Sequence, residues 1–344
     1  MCKTYLAGLL AIMLLPACLP ATAALSEKTG QLQYENGKAD PNVIPYPDST
    51  LQTVTARMWQ AVTQEPTVLE GPAFDDRGNL YLTDTFHGKV LKIDGDRKIT
   101  TIMASKDFAP CAVAIARDGR LFVAAAAFNG HGGQIFSMAP DGTDVRVHVS
   151  AAQGFRPNDI VFDKNGGLYF TDARGDSGNP EGGVYYLSPD LQTVTPILKH
   201  LTGGNGIALS PDGKTLWVVE FSAGVLHRLI MQDATHISPF GETVAYRFNS
   251  PAPDSMKADS DGNLYIALHG QGRVIVLNSN ATAIGQIVIP GREKGRYLRT
   301  ANMAIRPGTR EIYILSSNDP QLNDGGAVFT AGAFAPAEKR GDEK

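Results

Sequence analysis

One pattern recurs six times along this chain, and it constrains the fold more than any other feature. A short turn rich in Asp, Asn and Gly is followed by an aliphatic residue and an aromatic one. It reads Asp76-Arg77-Gly78-Asn79-Leu80-Tyr81, then Asp118-Gly119-Arg120-Leu121-Phe122, then Asn165-Gly166-Gly167-Leu168-Tyr169. It returns as Asp212-Gly213-Lys214-Thr215-Leu216-Trp217, as Asp261-Gly262-Asn263-Leu264-Tyr265, and more loosely as Gly308-Thr309-Arg310-Glu311-Ile312-Tyr313. The aliphatic markers fall at 80, 121, 168, 216, 264 and 312, so the steps are 41, 47, 48, 48 and 48 residues. A further strand opens on glycine after each turn, as in Gly88-Lys89-Val90-Leu91 and Gly183-Val184-Tyr185-Tyr186. Short strands at even spacing with Asp-Gly or Asn-Gly turns read as antiparallel sheet. A period near 48 with about four strands per unit reads as a propeller blade.

The fold class expected is therefore all-β, a six-bladed β-propeller. The sixth repeat stops after its third strand, near Phe334, while Thr53 to Val62 have no blade of their own. The N-terminal stretch is expected to supply the missing outer strand and close the ring. The propeller is expected over residues 49–335, with a linker over 24–48 and a charged tail over 336–344.

The first 23 residues read as something other than fold. Lys3 is the only charge before Glu27, an apolar run extends from Tyr5 to Leu15, and Ala21-Thr22-Ala23 supplies small residues of the A-x-A type. That is the layout of a secretory signal, so a periplasmic or secreted protein is expected. Pro16 and Pro20 shorten the apolar run against the alternative of a membrane anchor. Leu15-Pro16-Ala17-Cys18 also has the form of a lipobox, which would put a lipid anchor on Cys18. With Cys2 and Cys18 in this segment, only Cys111 remains in the mature chain, and no internal disulfide can form. A net charge of −4 leaves no basic excess for a nucleic-acid partner.

The repeat register carries the chemical signal. Ten residues before each marker, or eleven in the fourth repeat, stand Glu70, Cys111, Asn158, Asn205, Asp254 and Asn302. Inner strands of a propeller run along its axis, and their first residues form a ring at one face. Apart from Cys111, that ring is made of oxygen donors. Carboxylates and amide oxygens suit Ca²⁺, which takes six to eight hard oxygen ligands, whereas Zn²⁺ wants histidine or cysteine. Asn, Asp and Glu are also common loop residues, so any single position carries little; the register across blades carries the reading. Asp254 is in addition a candidate general base, and Arg156, two residues before Asn158, could hold a substrate oxygen. The loops after each second strand carry Phe86, His87, Phe128, His131, Asp172, Arg174, Phe221 and His269, read as a pocket wall. The run from Asp172 to Gly183 is expected to form a flap.

These residues resemble a known family. Asp172-Ala173-Arg174-Gly175-Asp176-Ser177-Gly178-Asn179-Pro180-Glu181-Gly182-Gly183-Val184-Tyr185-Tyr186, Asn205-Gly206-Ile207-Ala208-Leu209 and Gly270-Gln271-Gly272-Arg273-Val274 are similar to the senescence marker protein (regucalcin), gluconolactonase and luciferin-regenerating-enzyme family, especially its bacterial drug-responsive lactonase branch. The resemblance spans about residues 65–335. It implies a six-bladed propeller that opens a lactone to a hydroxy acid with a catalytic Ca²⁺, held by Glu70, Asn158, Asn205 and Asp254, with Ser255 as a further contact. It also implies Asp254 as acid/base and Arg156 and Asn158 on the substrate. The stretch Arg156-Pro157-Asn158-Asp159 is closer to the gluconolactonase branch, and no acidic set lies between Ser150 and Phe155 for a second, structural calcium. Two other readings fit the same ring: an organophosphate hydrolase of the diisopropylfluorophosphatase type, and an exported propeller that binds calcium or a ligand without turnover.

Overall fold

Five of the six recurring turns are closed by their own acidic side chains. Asp75 Oδ1 accepts the N–H groups of Arg77 (3.0 Å) and Asn79 (2.8 Å). Asp163 and Asp259 do the same for the residues two and four positions on. An Asp side chain that satisfies its own turn tightens the hairpin without help from elsewhere. The marker residues that follow, Leu80, Leu121, Leu168, Leu216, Leu264 and Ile312, are all buried.

A computed structural model describes residues 44–249, 252–322 and 325–337. Two strands come first, β1 (Gln52–Thr55) and β2 (Arg57–Thr63). Six blades follow. Blade 1 is β3 (Leu69–Phe74), β4 (Leu80–Asp84), β5 (Lys89–Ile93) and β6 (Ile99–Ala104). Blade 2 is β7 (Phe108–Ile115), β8 (Leu121–Ala127), β9 (Gly133–Met138) and β10 (Arg146–Val149). Blade 3 is β11 (Pro157–Phe162), β12 (Leu168–Asp172), β13 (Gly182–Leu187) and β14 (Val194–Leu201). Blade 4 is β15 (Gly204–Leu209), β16 (Thr215–Glu220), β17 (Val225–Met231) and β18 (Ile237–Arg247). Blade 5 is β19 (Pro253–Ala258), β20 (Leu264–Leu268), β21 (Arg273–Leu277) and β22 (Ala283–Val288). Blade 6 is β23 (Arg299–Ile305), β24 (Glu311–Ser317) and β25 (Gly326–Gly332), completed by β2.

The inner strands touch in the cycle β3, β7, β11, β15, β19, β23 and back to β3, which closes the ring. The chain is thus a six-bladed β-propeller. Each blade sandwiches an apolar layer against the next; between blades 1 and 2 that layer includes Tyr81, Val90, Val113, Leu121, Val123 and Phe136. Truncating one such core leucine to alanine costs about 2–5 kcal/mol.

The N-terminal stretch closes the ring in a more elaborate way than one strand would. It bends at buried Ala56, whose N–H donates to Val288 O at 2.9 Å. Before the bend, β1 pairs parallel to β22 as a fifth strand of blade 5; after it, β2 pairs antiparallel to β25. A parallel partner leaves no turn signature in the sequence, so this pairing was not readable there.

The ordered body also reaches slightly beyond residues 49–335. Asp48 is buried, and its Oδ2 accepts from Arg273 Nη2 at 2.7 Å. At the other end, Ser260 N–H donates to Pro336 O and Ala337 N–H to Thr309 O. The expected signal over residues 1–23, Cys18 and most of the expected linker and tail lie outside the described residues. Among the described residues no helix is long and apolar enough to cross a membrane.

Candidate active site on the propeller axis

All six inner strands carry the same irregularity. The pairing register slips once between inner and second strand, at Glu70/Ala73, Pro110/Ala112, Pro157/Ile160, Gly204/Ile207, Pro253/Met256 and Thr300/Asn302. A bulge inserts one residue and re-aims the side chains beside it, and bulges collect next to functional sites. Here the slips fall at the ring positions read from the sequence: Glu70, Cys111, Asn158, Asn205 and Asp254. The sixth position needs correction. Ile305 pairs with Ile312 across a turn one residue longer than in most repeats, so Ala301, not Asn302, is in register with the others. Asn302 belongs one step deeper, level with Gly71, Ala112, Asp159, Gly206 and Ser255.

Those two layers interlock. Asn302 Nδ2 donates to Glu70 Oε2 at 3.0 Å, and Gly71 N–H reaches the same oxygen at 3.3 Å. A Cβ on Gly71, which has φ +57°, would stand 2.6 Å from Ala112 Cα. A Cβ on Gly206 would stand 2.6 Å from Asp254 O. The glycines after Glu70 and Asn205 therefore let neighbouring inner strands touch at the site.

Glu70 and Asp254 are 7% and 4% exposed. Burial, then the Asp254 charge, holds the Glu70 carboxyl well above the usual carboxylate range. Burial also pushes Asp254 up to about 8, against the opposing pull of an Asn205 side-chain hydrogen bond and with the help of the Asp159 charge. Burial and Glu70 together push the Cys111 thiol up to about 12. The Asn205 Oδ1 atom is buried without a hydrogen-bond partner among the described residues. An orphaned amide oxygen and two carboxylates that disfavour ionising together are what a hard divalent cation would relieve. Among the described residues no three His, Cys, Asp or Glu side chains converge as a metal cluster. The donor set here is half amide, which suits an oxygen-seeking ion rather than zinc.

Sequence reasoning missed Asp159 and Lys257. Asp159 is 1% exposed; its oxygens lie 3.3 and 3.4 Å from Lys257 Nζ, and Oδ2 accepts from Ile207 N–H at 3.4 Å. A signal existed. Three residues past each ring position stand Ala73, Ala114, Val161, Ala208 and Ala304, but Lys257 in the fifth blade. With all groups ionised, Glu70, Asp159 and Asp254 against Lys257 leave a net charge of −2 at the axis.

The wall is narrower than the sequence reading. Four blades repeat one backbone clamp: Thr85, Ala173, Phe221 and His269 donate their N–H groups to Val68, Arg156, Gly203 and Ala252, each two residues before a ring position. A cavity of about 310 Å³ lies over Asn158 and Asn205, and Cys111, Arg156, Ala173, Gly175 and Phe221 line it. The His269 ring stands 6.0 Å from that of Phe221, and burial pushes its pKa down to about 4, so it is neutral near pH 7. Other expected wall residues are used elsewhere. His87 pairs with Asp84 and Glu65. Arg174 makes a two-pronged pair with Asp172, which is fully buried and accepts the Arg156 N–H. Phe128 and His131 line a separate surface depression. In the expected flap, Asp176 and Asn179 close a turn on each other, and Asn179 donates to Glu181.

A six-bladed propeller with an axial ring of carboxylate and amide donors defines the class of this protein. The chain belongs to the SMP-30/gluconolactonase/LRE-like family, whose model matches residues 68–318. It is 43% identical over 309 residues to the lactonase drp35 of Staphylococcus saprophyticus, covering 88% of this chain and 95% of the relative. It is 42% identical over 306 residues to lactonase drp35 of Staphylococcus aureus strain USA300, covering 88% and 94%. Among solved structures it is similar to the calcium-binding protein regucalcin from Agrobacterium tumefaciens, with a TM-score of 0.67 at 18% identity over 84% of this chain and 99% of that one. A gluconolactonase from Xanthomonas campestris follows the same fold, with a TM-score of 0.63 at 20% identity over 82% and 96%.

Proposed function

We propose that this protein is a calcium-dependent lactonase whose axial site opens a cyclic ester to a hydroxy acid. The observation that carries the proposal is the orphaned, buried Asn205 Oδ1 set beside two buried carboxylates, in a chain more than 40% identical to named lactonases. Glu70, Asn158, Asn205 and Asp254 would hold the ion, with Ser255 adjoining. A bound Ca²⁺ would supply a Lewis acid to the lactone carbonyl.

The chain's own residues do the rest. Asp254, as carboxylate, takes a proton from the attacking water at one Oδ, and the acyl C–O bond of the ring breaks. The same proton returns to the ring oxygen, so acid and base are one residue. Arg156 and Asn158 orient the substrate over the ring. Phe221 and neutral His269 keep the site partly dry, which strengthens every charge inside it.

Hydrolysis of a lactone panel, followed by base uptake, tests the reading. Turnover that stops with a chelator and returns with added Ca²⁺ supports it. Turnover of organophosphates but of no lactone would favour a phosphoesterase, and calcium binding without any turnover a binding protein. We also propose that Met1 to Ala23 is a secretory signal and that the mature protein is periplasmic or secreted. Mass spectrometry of the native protein should then find a start near Ala24, or a lipid on Cys18, rather than Met1.

A further inference from the structure

We infer that the substrate carries a second anionic group, a carboxylate beside its lactone ring, held by Arg156 over a small and largely apolar ring pocket. The inference rests on the lactonase reading and deepens it. Among the described residues Arg156 is the one charged residue lining the 310 Å³ cavity, and it is exposed there. The nearby carboxylate that could have neutralised it, Asp172, is fully buried and already paired with Arg174 at 2.7 Å. Asp172 takes only the backbone N–H of Arg156. No ion pair engages the Arg156 guanidinium among the described residues.

The charge pattern around the axis points the same way. With all groups ionised, Glu70, Asp159, Asp254 and Lys257 together would carry −2, which one divalent cation would match. Arg156 is then surplus by one positive charge, in a cavity that has no lining acid. A guanidinium that faces a cavity without an ion-pair partner is complemented by a carboxylate, which it can grip with two parallel hydrogen bonds.

The rest of the lining argues against a polyhydroxylated sugar lactone. Ala126, Ala173, Gly175, Gly203 and Phe221 offer no side-chain donor or acceptor, and beyond the ring amides of Asn158 and Asn205 the single hydroxyl among the described lining residues is that of Ser222. Each sugar hydroxyl buried without a partner would weaken binding. The volume corresponds to about ten water molecules at roughly 30 Å³ each, room for one substituted ring.

The test uses 5-oxotetrahydrofuran-2-carboxylate and its primary amide, which share ring and shape but not charge. At saturating Ca²⁺ the full-length mature protein should favour the carboxylate by about tenfold or more in kcat/KM, the worth of a charge-assisted pair. In Arg156→Gln that ratio should fall to about one, whatever the absolute rates. An unprejudiced ratio in the wild type, or a preference unchanged in Arg156→Gln, overturns the inference while leaving the lactonase reading intact. If neither ring is opened, the lactone panel still decides the lactonase reading, and calorimetry decides the inference separately. There, 2-hydroxyglutarate, the ring-opened product, should bind about tenfold or more tighter than its monoamide, with the difference lost in Arg156→Gln. Equal binding, or none, overturns it. Arg156 sits exposed at the rim, so an unchanged melting temperature in the variant separates lost recognition from lost folding.

Discussion

The Asn205 side chain pulls the Asp254 pKa down against its burial, while its own Oδ1 is buried with no partner among the described residues. The two residues begin neighbouring inner strands, and Gly206 lets the backbones meet there. The orphaned oxygen thus belongs to an amide that already acts on the Asp254 carboxyl before any ligand arrives. An oxygen left in that state costs stability unless something cationic takes it up.

The first prediction follows from that pair. Calcium should raise the melting temperature of the wild type, by an amount set by its concentration over Kd; a hundredfold excess is worth about 2.7 kcal/mol. Asn205→Ala should shrink that shift strongly, because a ligand and the anchor of Asp254 are lost together. Differential scanning calorimetry with and without Ca²⁺ reads it. An undiminished shift in the variant would place the ion elsewhere.

The second concerns pH. Glu70 and Asp254 both have folded-state pKa values above their unfolded ones, Asp254 at about 8. Their folded forms hold protons that the unfolded chain releases, so in metal-free protein their contribution is greatest below about pH 4 and is lost as pH rises toward 8. Calcium binding displaces those protons. The calcium-induced rise in melting temperature should therefore grow from pH 5 to pH 8. His269, whose folded pKa is pushed down to about 4, works in the opposite direction between pH 6.5 and 4, and it cancels in the difference between calcium-loaded and metal-free protein. A rise that stays flat or shrinks with pH would show that the two carboxylates are not the proton-coupled pair.

The third concerns ring closure. Asp48 and Arg273 form a buried ion pair, 3% and 1% exposed, which Asn249, Gln271 and Gln286 complete. Asp48→Ala strands a buried guanidinium and should cost about 3–5 kcal/mol by urea denaturation. It should also free β1 from β22, seen as faster amide exchange over Gln52–Thr55. Exchange unchanged there would mean that β1 holds without the latch.

How much of this was legible can be judged residue by residue. Five of the six turns could be read because each is closed locally by its own acid and glycine, chemistry written in consecutive residues, while the sixth uses the Thr309 hydroxyl, which accepts the Glu311 N–H. The ring positions could be read because the turns fix the register of the strand before them. Asn302 was misplaced for the same reason: its turn is one residue longer, and counting back from Ile312 then lands one residue too deep. The Asp159–Lys257 and Asp48–Arg273 pairings depend on contacts between distant segments, which no local pattern records, although Lys257 stands out in the repeat register as the one charged residue at its position. His87 and Arg174 looked like wall residues because they follow second strands, yet each is held by an acid two or three residues away.

The most direct test of the account is the turnover of Asp254→Asn at saturating calcium, measured beside Glu70→Gln. Asp254→Asn keeps an oxygen of similar size but removes the basic carboxylate. Its calcium affinity should weaken without vanishing, and lactone hydrolysis should fall by about a hundredfold or more even with the site filled. Glu70→Gln removes charge from the ring but no base, so excess calcium should restore much of its activity. Full turnover of Asp254→Asn with calcium bound would contradict the account, and would leave Asp254 as a ligand alone.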